Sequence, residues 1–205
     1  MIVVGLTGGI ASGKSFIVSY LEKLKIPAHE SDIVVRGLYE KPTLSFLKYL
    51  ETCGMQKAIY KKKINKSIIR DEIFNNRILK KKLEVYLHKK VRRQREIFLN
   101  KNKNKRIVFV DIPLLLEQNM NNDFDYVCVA IAPTKTRKKR AMKREGMTEK
   151  IFNLIKKNQT SDALRKKYSD YVIDTSGTKN KTYMQLNKML YDILVLKNER
   201  NSSRY

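Results

Sequence analysis

The chain has 205 residues, a formal net charge of +24 and 42% hydrophobic residues, a balance that supports a packed domain and excludes a disordered chain. Its two cysteines, Cys53 and Cys128, are far apart and exclude a disulfide scaffold, while His29 and His88 are too few for a histidine-rich metal centre. No apolar run approaches the roughly 20 residues that cross a bilayer, and Met1-Ile2-Val3-Val4-Gly5-Leu6 does not read as a secretory signal, so a cytoplasmic protein with no membrane partner is expected.

Short apolar runs alternate with stretches of helical period, which predicts an α/β fold with a parallel sheet and crossover helices. Ile2–Leu6 reads as the first strand. Lys14–Leu24 follows as a helix with Ile17, Val18, Leu21 and Leu24 on one face. Ile26–Glu30 is a short second strand. The stretch Leu38–Leu99 has little strand character and reads as helices broken at Pro42 and Gly54. It is too long for a simple connection and is taken as a helical insertion. Strands return at Arg106–Asp111, Tyr126–Ile131 and Tyr171–Asp174, unbroken apolar runs that suit burial on both faces. A basic helix is expected over Thr134–Arg144, Gly146 ends it, and Thr148 caps a helix near Glu149–Asn158. Thr178–Leu196 reads as the last helix, and the polar Lys197–Tyr205 is expected to fray. One domain is expected, with a core of about 1–37 and 106–196, an insertion at about 38–99 and a lid at about 134–160.

The most informative stretch is Gly8-Gly9-Ile10-Ala11-Ser12-Gly13-Lys14-Ser15, which satisfies G-x-x-x-x-G-K-[ST] between a strand and a helix. Glycines let successive amides point inward as an anion nest, and the helix that follows adds unpaired N–H groups and a partial positive charge. Lys14 can reach the β- and γ-phosphates and the Ser15 hydroxyl can ligate Mg²⁺. Gly8, Ala11, Ser12, Gly13, Lys14, Ser15 and Phe16 are therefore the expected nucleotide contacts. The pattern specifies a nucleoside triphosphate, with Mg²⁺, but not the reaction. A guanine-reading GTPase is disfavoured, because no Asn-Lys-x-Asp occurs and Val110-Asp111-Ile112-Pro113 lacks Asp-x-x-Gly. A small-molecule kinase suits the length.

Beyond the loop, the sequence resembles the dephospho-CoA kinase family. The opening Gly5-Leu6-Thr7-Gly8-Gly9-Ile10-Ala11-Ser12-Gly13-Lys14-Ser15 resembles that family's, and Ser31-Asp32-Ile33-Val34-Val35-Arg36 is similar to its Asp-Ala-Asp-x-x-x-Arg segment. Leu87-His88 stands where the family has Leu-His-Pro. Ile112-Pro113-Leu114-Leu115-Leu116-Glu117 resembles its Val-Pro-Leu-Leu-x-Glu, and Arg140-x-x-x-Arg144 its lid arginines. Gln159, Tyr171-Val172-Ile173-Asp174 and Gly177 resemble its closing motif. Departures are Glu30 for the family's first Asp, Phe16 for a Thr, Lys89 for the Pro and Thr175 for an Asn. The resemblance implies ATP and dephospho-CoA as substrates, phosphorylation of the ribose 3′-hydroxyl, and Asp32 as the base that takes the hydroxyl proton. The other reading of Asp32 is an N-cap for a helix at Ile33–Leu38.

Arg140 and Arg144, one helical turn apart, can share a face and stabilise the transferring phosphoryl group; their other reading is a solvated basic helix. Asp111, at a strand end, is a candidate for holding the metal ion through water or an ordinary turn acid. Arg36, His88 and Leu114 are candidate acceptor contacts, with surface or structural roles as the alternatives. The runner-up activity is another P-loop nucleoside or nucleotide kinase, and behind it an RNA-binding P-loop ATPase. Nucleic acid is not the expected partner, because basic residues are spread along the whole chain rather than gathered with aromatics. The oligomeric state is not legible.

Overall fold

The computed structural model describes residues 1–196, and the segment expected to fray lies outside the described residues. Among the described residues, seven strands and nine α-helices follow in the order β1 (Ile2–Gly8), α1 (Lys14–Lys23), β2 (Ala28–Glu30), α2 (Ser31–Glu40), α3 (Leu44–Thr52), β3 (Ile59–Tyr60), β4 (Lys63–Ile64), α4 (Lys66–Asn75), α5 (Arg77–Lys101), β5 (Ile107–Asp111), β6 (Tyr126–Ile131), α6 (Thr134–Ala141), α7 (Glu149–Lys157), α8 (Asp162–Lys167), β7 (Tyr171–Asp174) and α9 (Lys179–Tyr191). The main sheet has the order β2-β5-β1-β6-β7. β1 pairs parallel with β5 (Ile2↔Ile107, Leu6↔Asp111) and with β6 (Val4↔Tyr126, Gly8↔Ala130), and β6 pairs parallel with β7. β1 is thus central, and the loop after Gly8 leaves the carboxyl edge of the sheet, where open α/β sheets place ligands.

The chain divides into two compact units. One comprises Met1–His29 with the chain from Asn102 onward. Its main core gathers Val4 and Leu6 of β1, Phe109, Cys128 and Ala130 of the neighbouring strands, Ile17, Val18 and Leu21 of α1, and Leu186 and Met189 of α9. Strands bearing such unbroken apolar runs lose water on both faces, which is why alternation is absent from their sequence. A smaller cluster joins Ile10 and Ala11 of the loop to Ala141 of α6 and Phe152 of α7. The other unit, Glu30–Lys101, has its own core of Phe46, Leu50, Met55, Ala58, Ile69, Leu79 and Leu83. Tyr49 and Tyr86 stack at 4.1 Å on its flank, so Tyr86 is packed rather than free.

Several boundaries depart from expectation. Leu24 is the C-cap of α1 and is 42% exposed, not part of its buried face. The insertion contains the two-stranded β3–β4 hairpin, whose turn residues Lys61 and Lys62 have φ of 46° and 62°. That left-handed pair is normally Asn-Gly, so lysines there give no hairpin signal. α8 was not expected. The basic helix stops at Ala141, leaving Arg144 in the turn beyond it. Among the described residues no helix is long and apolar enough to cross a membrane.

Candidate functional site

The loop between β1 and α1 is held in a shape that ordinary residues resist. Gly13 has φ 98°, and a Cβ there would lie 2.7 Å from Thr175 Oγ1, so only glycine suits both the backbone and the space. Ala11 is left-handed at φ 55° without being glycine. Such strain persists only where the surroundings fix it, and Ala11 is anchored in the Phe152 cluster. No side chain caps α1, and although the Phe16 amide donates to the Gly13 carbonyl at 3.0 Å, the Lys14 and Ser15 amides remain open at the loop. Ala11, Ser12, Gly13, Lys14, Ser15, Arg140 and Arg144 line a cleft of about 130 Å³. Three cations and no carboxylate face it, beside a helix N-terminus, so its field favours an anion. Lys14 Nζ lies 3.4 Å from the Gly8 carbonyl, too long for a strong bond and free to be redirected.

A buried charge chain sits behind the loop. Arg137 of α6 is 4% exposed and pairs with Asp162 at 3.1 Å. Asp162 also lies 3.5 Å from Arg165, which is 1% exposed and donates to Glu117 at 2.9 Å. Glu117 Oε1 accepts the Thr160 amide as well, at 2.7 Å. A Cβ on Gly9 would stand 2.1 Å from Arg137 Nη1 and 3.1 Å from Arg165 Nη1, so the loop lies directly against this network. Gln159 Oε1 accepts the Ile10 amide at 2.8 Å. Arg137, Asp162 and Arg165 were not singled out from sequence. In a run such as Thr134-Lys135-Thr136-Arg137-Lys138-Lys139-Arg140, nothing distinguishes the buried arginine from solvated neighbours. Ser161, whose hydroxyl accepts the Leu164 amide, was the one readable start signal for α8.

The structure brings Ala11–Ser15, Arg140 and Arg144 together at one cleft, with Gly8 at the start of the same loop. The helical turn expected to align the two arginines is broken before Arg144, yet both still face the cleft. Phe16 turns its ring onto Tyr183 of α9 at 5.3 Å. Asp111 is buried at the end of β5, in register with Leu6, and Leu114 lies exposed in the turn that follows. Asp32, Arg36 and His88 belong to the other unit. Asp32 is the second residue of α2, whose N-cap is Glu30, so the capping alternative is excluded for Asp32. Arg36 is exposed and 4.0 Å from Glu40. His88 is exposed on α5, which packs against α2 within that unit.

A central parallel strand running into a cationic glycine loop and the N-terminus of α1 defines a nucleotide-binding protein of the P-loop class. The family model for dephospho-CoA kinase matches residues 2–181, and the chain belongs to that family. It is 31% identical over 189 residues to a dephospho-CoA kinase of Bartonella henselae, covering 91% of this chain and 95% of that one. Among solved structures, the Thermus thermophilus protein TT1252 superposes with a TM-score of 0.77 at 22% identity, covering 93% and 97% of the two chains. The dephospho-CoA kinase of Campylobacter jejuni does so with 0.69 at 24%, covering 94% and 96%. At those identities both speak to the fold.

Proposed function

We propose that this chain transfers the γ-phosphoryl group of ATP to the 3′-hydroxyl of the ribose of dephospho-CoA, giving CoA and ADP. The carrying observation is the cleft of open α1 amides, Lys14, Arg140 and Arg144 in a chain of this family. Phosphoryl transfer asks the protein for position and compensating charge more than for covalent chemistry. In this reading the loop amides hold the β-phosphate and Lys14 bridges towards the γ-phosphate. Arg140 and Arg144 take up charge on the transferring group. Asp32 accepts the hydroxyl proton, with Arg36, His88 and Leu114 as acceptor contacts.

The cation we assign is Mg²⁺. Among the described residues no three His, Cys, Asp or Glu side chains converge as a metal-binding group. That suits an ion held by one or two protein oxygens, water and substrate phosphates, as Mg²⁺ is. Ser15 at the head of α1 and Asp111 at the end of β5 are the oxygens offered. When bound, the ion would neutralise charge on the phosphate oxygens.

The test is ADP release in magnesium buffer with dephospho-CoA, run beside nucleoside monophosphates and RNA. Turnover with dephospho-CoA alone is expected. Equal or faster turnover with a nucleoside monophosphate, or RNA-stimulated hydrolysis without dephospho-CoA turnover, would overturn the reading.

A further inference from the structure

We infer that Thr175 is a positioning residue that fixes the Arg140 guanidinium against the phosphate loop while leaving its charge free; this rests on the phosphotransfer reading above. Thr175 follows β7, is 4% exposed, and continues the sheet ladder by donating its amide to Ile131 O at 2.9 Å. Its hydroxyl lies 2.6 Å from the Ser12 carbonyl and 3.2 Å from that of Ile131. A hydroxyl has one proton to donate, and the shorter contact places it on Ser12. The oxygen then accepts Arg140 Nη1 at 2.9 Å, while the Thr175 carbonyl accepts Nη2 at 2.5 Å. Two N–H groups of one guanidinium thus grip two oxygens of one residue, which sets both its place and its plane. The same side chain lies against Gly13, since a Cβ on that glycine would meet Thr175 Oγ1, Cβ and Cγ2 at 2.7 to 2.9 Å.

The chemistry of the partners carries the argument further. Arg137 and Arg165 are held by carboxylates, which neutralise them. Among the described residues Arg140 makes no ion pair; neutral oxygens orient it. A neutral acceptor fixes a guanidinium without cancelling its field, so the full positive charge stays available to an anion in the cleft. It also needs no reorientation when phosphate arrives. Thr175 therefore ties three pieces of the site: the Ser12–Gly13 turn, the end of β6 and the last turn of α6.

Steady-state kinetics and circular-dichroism melting of Thr175→Val, Thr175→Ala and Thr175→Ser test this. Val keeps the bulk without the hydroxyl, and Ala removes both, so a packing failure in one is visible in the other. Both are expected to raise KM for ATP and lower kcat, with kcat/KM down about tenfold or more. Ser is expected to stay within about twofold of the wild type, since it retains the oxygen. Arg140→Lys cannot make the paired bonds; in the Thr175→Val background its added effect is expected to be much smaller than in the wild type. Multiplicative effects would mean that the two residues act independently, and the inference would fail. It would also fail if Val and Ala kept the wild-type KM for ATP, or lost only melting temperature. A wild type that binds ATP but does not phosphorylate dephospho-CoA would instead sink the functional reading, and it would leave the Thr175 effect on ATP affinity measurable by itself.

Discussion

The two units treat charge in opposite ways. In the unit built on Met1–His29 and the chain from Asn102, Arg137 and Arg165 are neutralised behind the loop, and Arg140 is oriented by neutral oxygens at the cleft. In the unit Glu30–Lys101, the candidates Asp32, Arg36 and His88 are exposed, and the 4.0 Å Arg36–Glu40 contact is of a kind worth ~0.3–0.5 kcal/mol. In the proposed reading, the nucleotide-side Arg140 is ordered by the protein itself, whereas the acceptor-side candidates Asp32, Arg36 and His88 are exposed side chains. Nucleotide-side substitutions should therefore disturb binding, chemistry and folding together; acceptor-side substitutions should act on turnover alone.

The largest effect expected on the nucleotide side is that of Lys14→Ala. Removing this cleft cation should bring turnover to background and weaken ATP binding, read by ADP release and by calorimetric titration. Asp32→Asn should sharpen the contrast. Loss of a positioned base costs about 10²-fold to 10⁴-fold in kcat, and because Asp32 is exposed at the start of α2, ATP affinity and melting temperature should hardly move. Near-normal kcat in Asp32→Asn would remove it as the base and break the comparison on the acceptor side.

Glu117→Ala should show itself in stability before chemistry. It strips Arg165 of its shorter carboxylate contact and leaves a buried guanidinium with Asp162 at 3.5 Å and shared with Arg137. Breaking a buried pair by removing one partner costs about 3–5 kcal/mol. A matching fall in the urea midpoint is expected, with KM for ATP rising because Thr160 and the Gln159–Ile10 contact lie next in the chain. Unchanged stability would mean that the charge chain behind Gly9 contributes nothing to holding the loop.

What was legible in the sequence follows from the same physics. The central strands were readable because burial on both faces demands unbroken apolar runs, and Tyr126–Ile131 and Tyr171–Asp174 appear at their expected bounds. The loop was readable because its spacing is fixed by phosphate geometry. Thr148 was readable as a cap because it accepts the Ile151 amide. The β3–β4 hairpin was not, since Lys61-Lys62 adopts a turn that lysine does not advertise. Nor were the buried arginines, because burial of a charged side chain depends on carboxylates brought in from 25 to 48 positions along the chain or from the other side of the turn, as Arg137–Asp162 and Arg165–Glu117 show. Arg144 was read as helical because a basic run carries no internal stop, whereas the helix closes at Ala141.

The smallest expected effect compares the cores of the two units through their thiols. Cys128 is fully buried between β1 and β7, and desolvation pushes its pKa up to about 12. Cys53, at the end of α3, is only partly buried. A thiolate-selective reagent at pH 8 should therefore label Cys53 alone in the native chain and both thiols in denaturant. The sign of the linkage is fixed as well. Cys128 retains its proton in the folded state above the usual thiol range, so its contribution to stability is complete below about pH 9 and is lost as pH rises towards 12. Replacing Cys128 by Ala should flatten that alkaline decline while leaving the midpoint slope below pH 9 unaltered. Native labelling of both thiols at similar rates would show that the sheet core opens as readily as the edge of the helical unit, and the contrast between a pre-ordered and an open half would lose its structural basis.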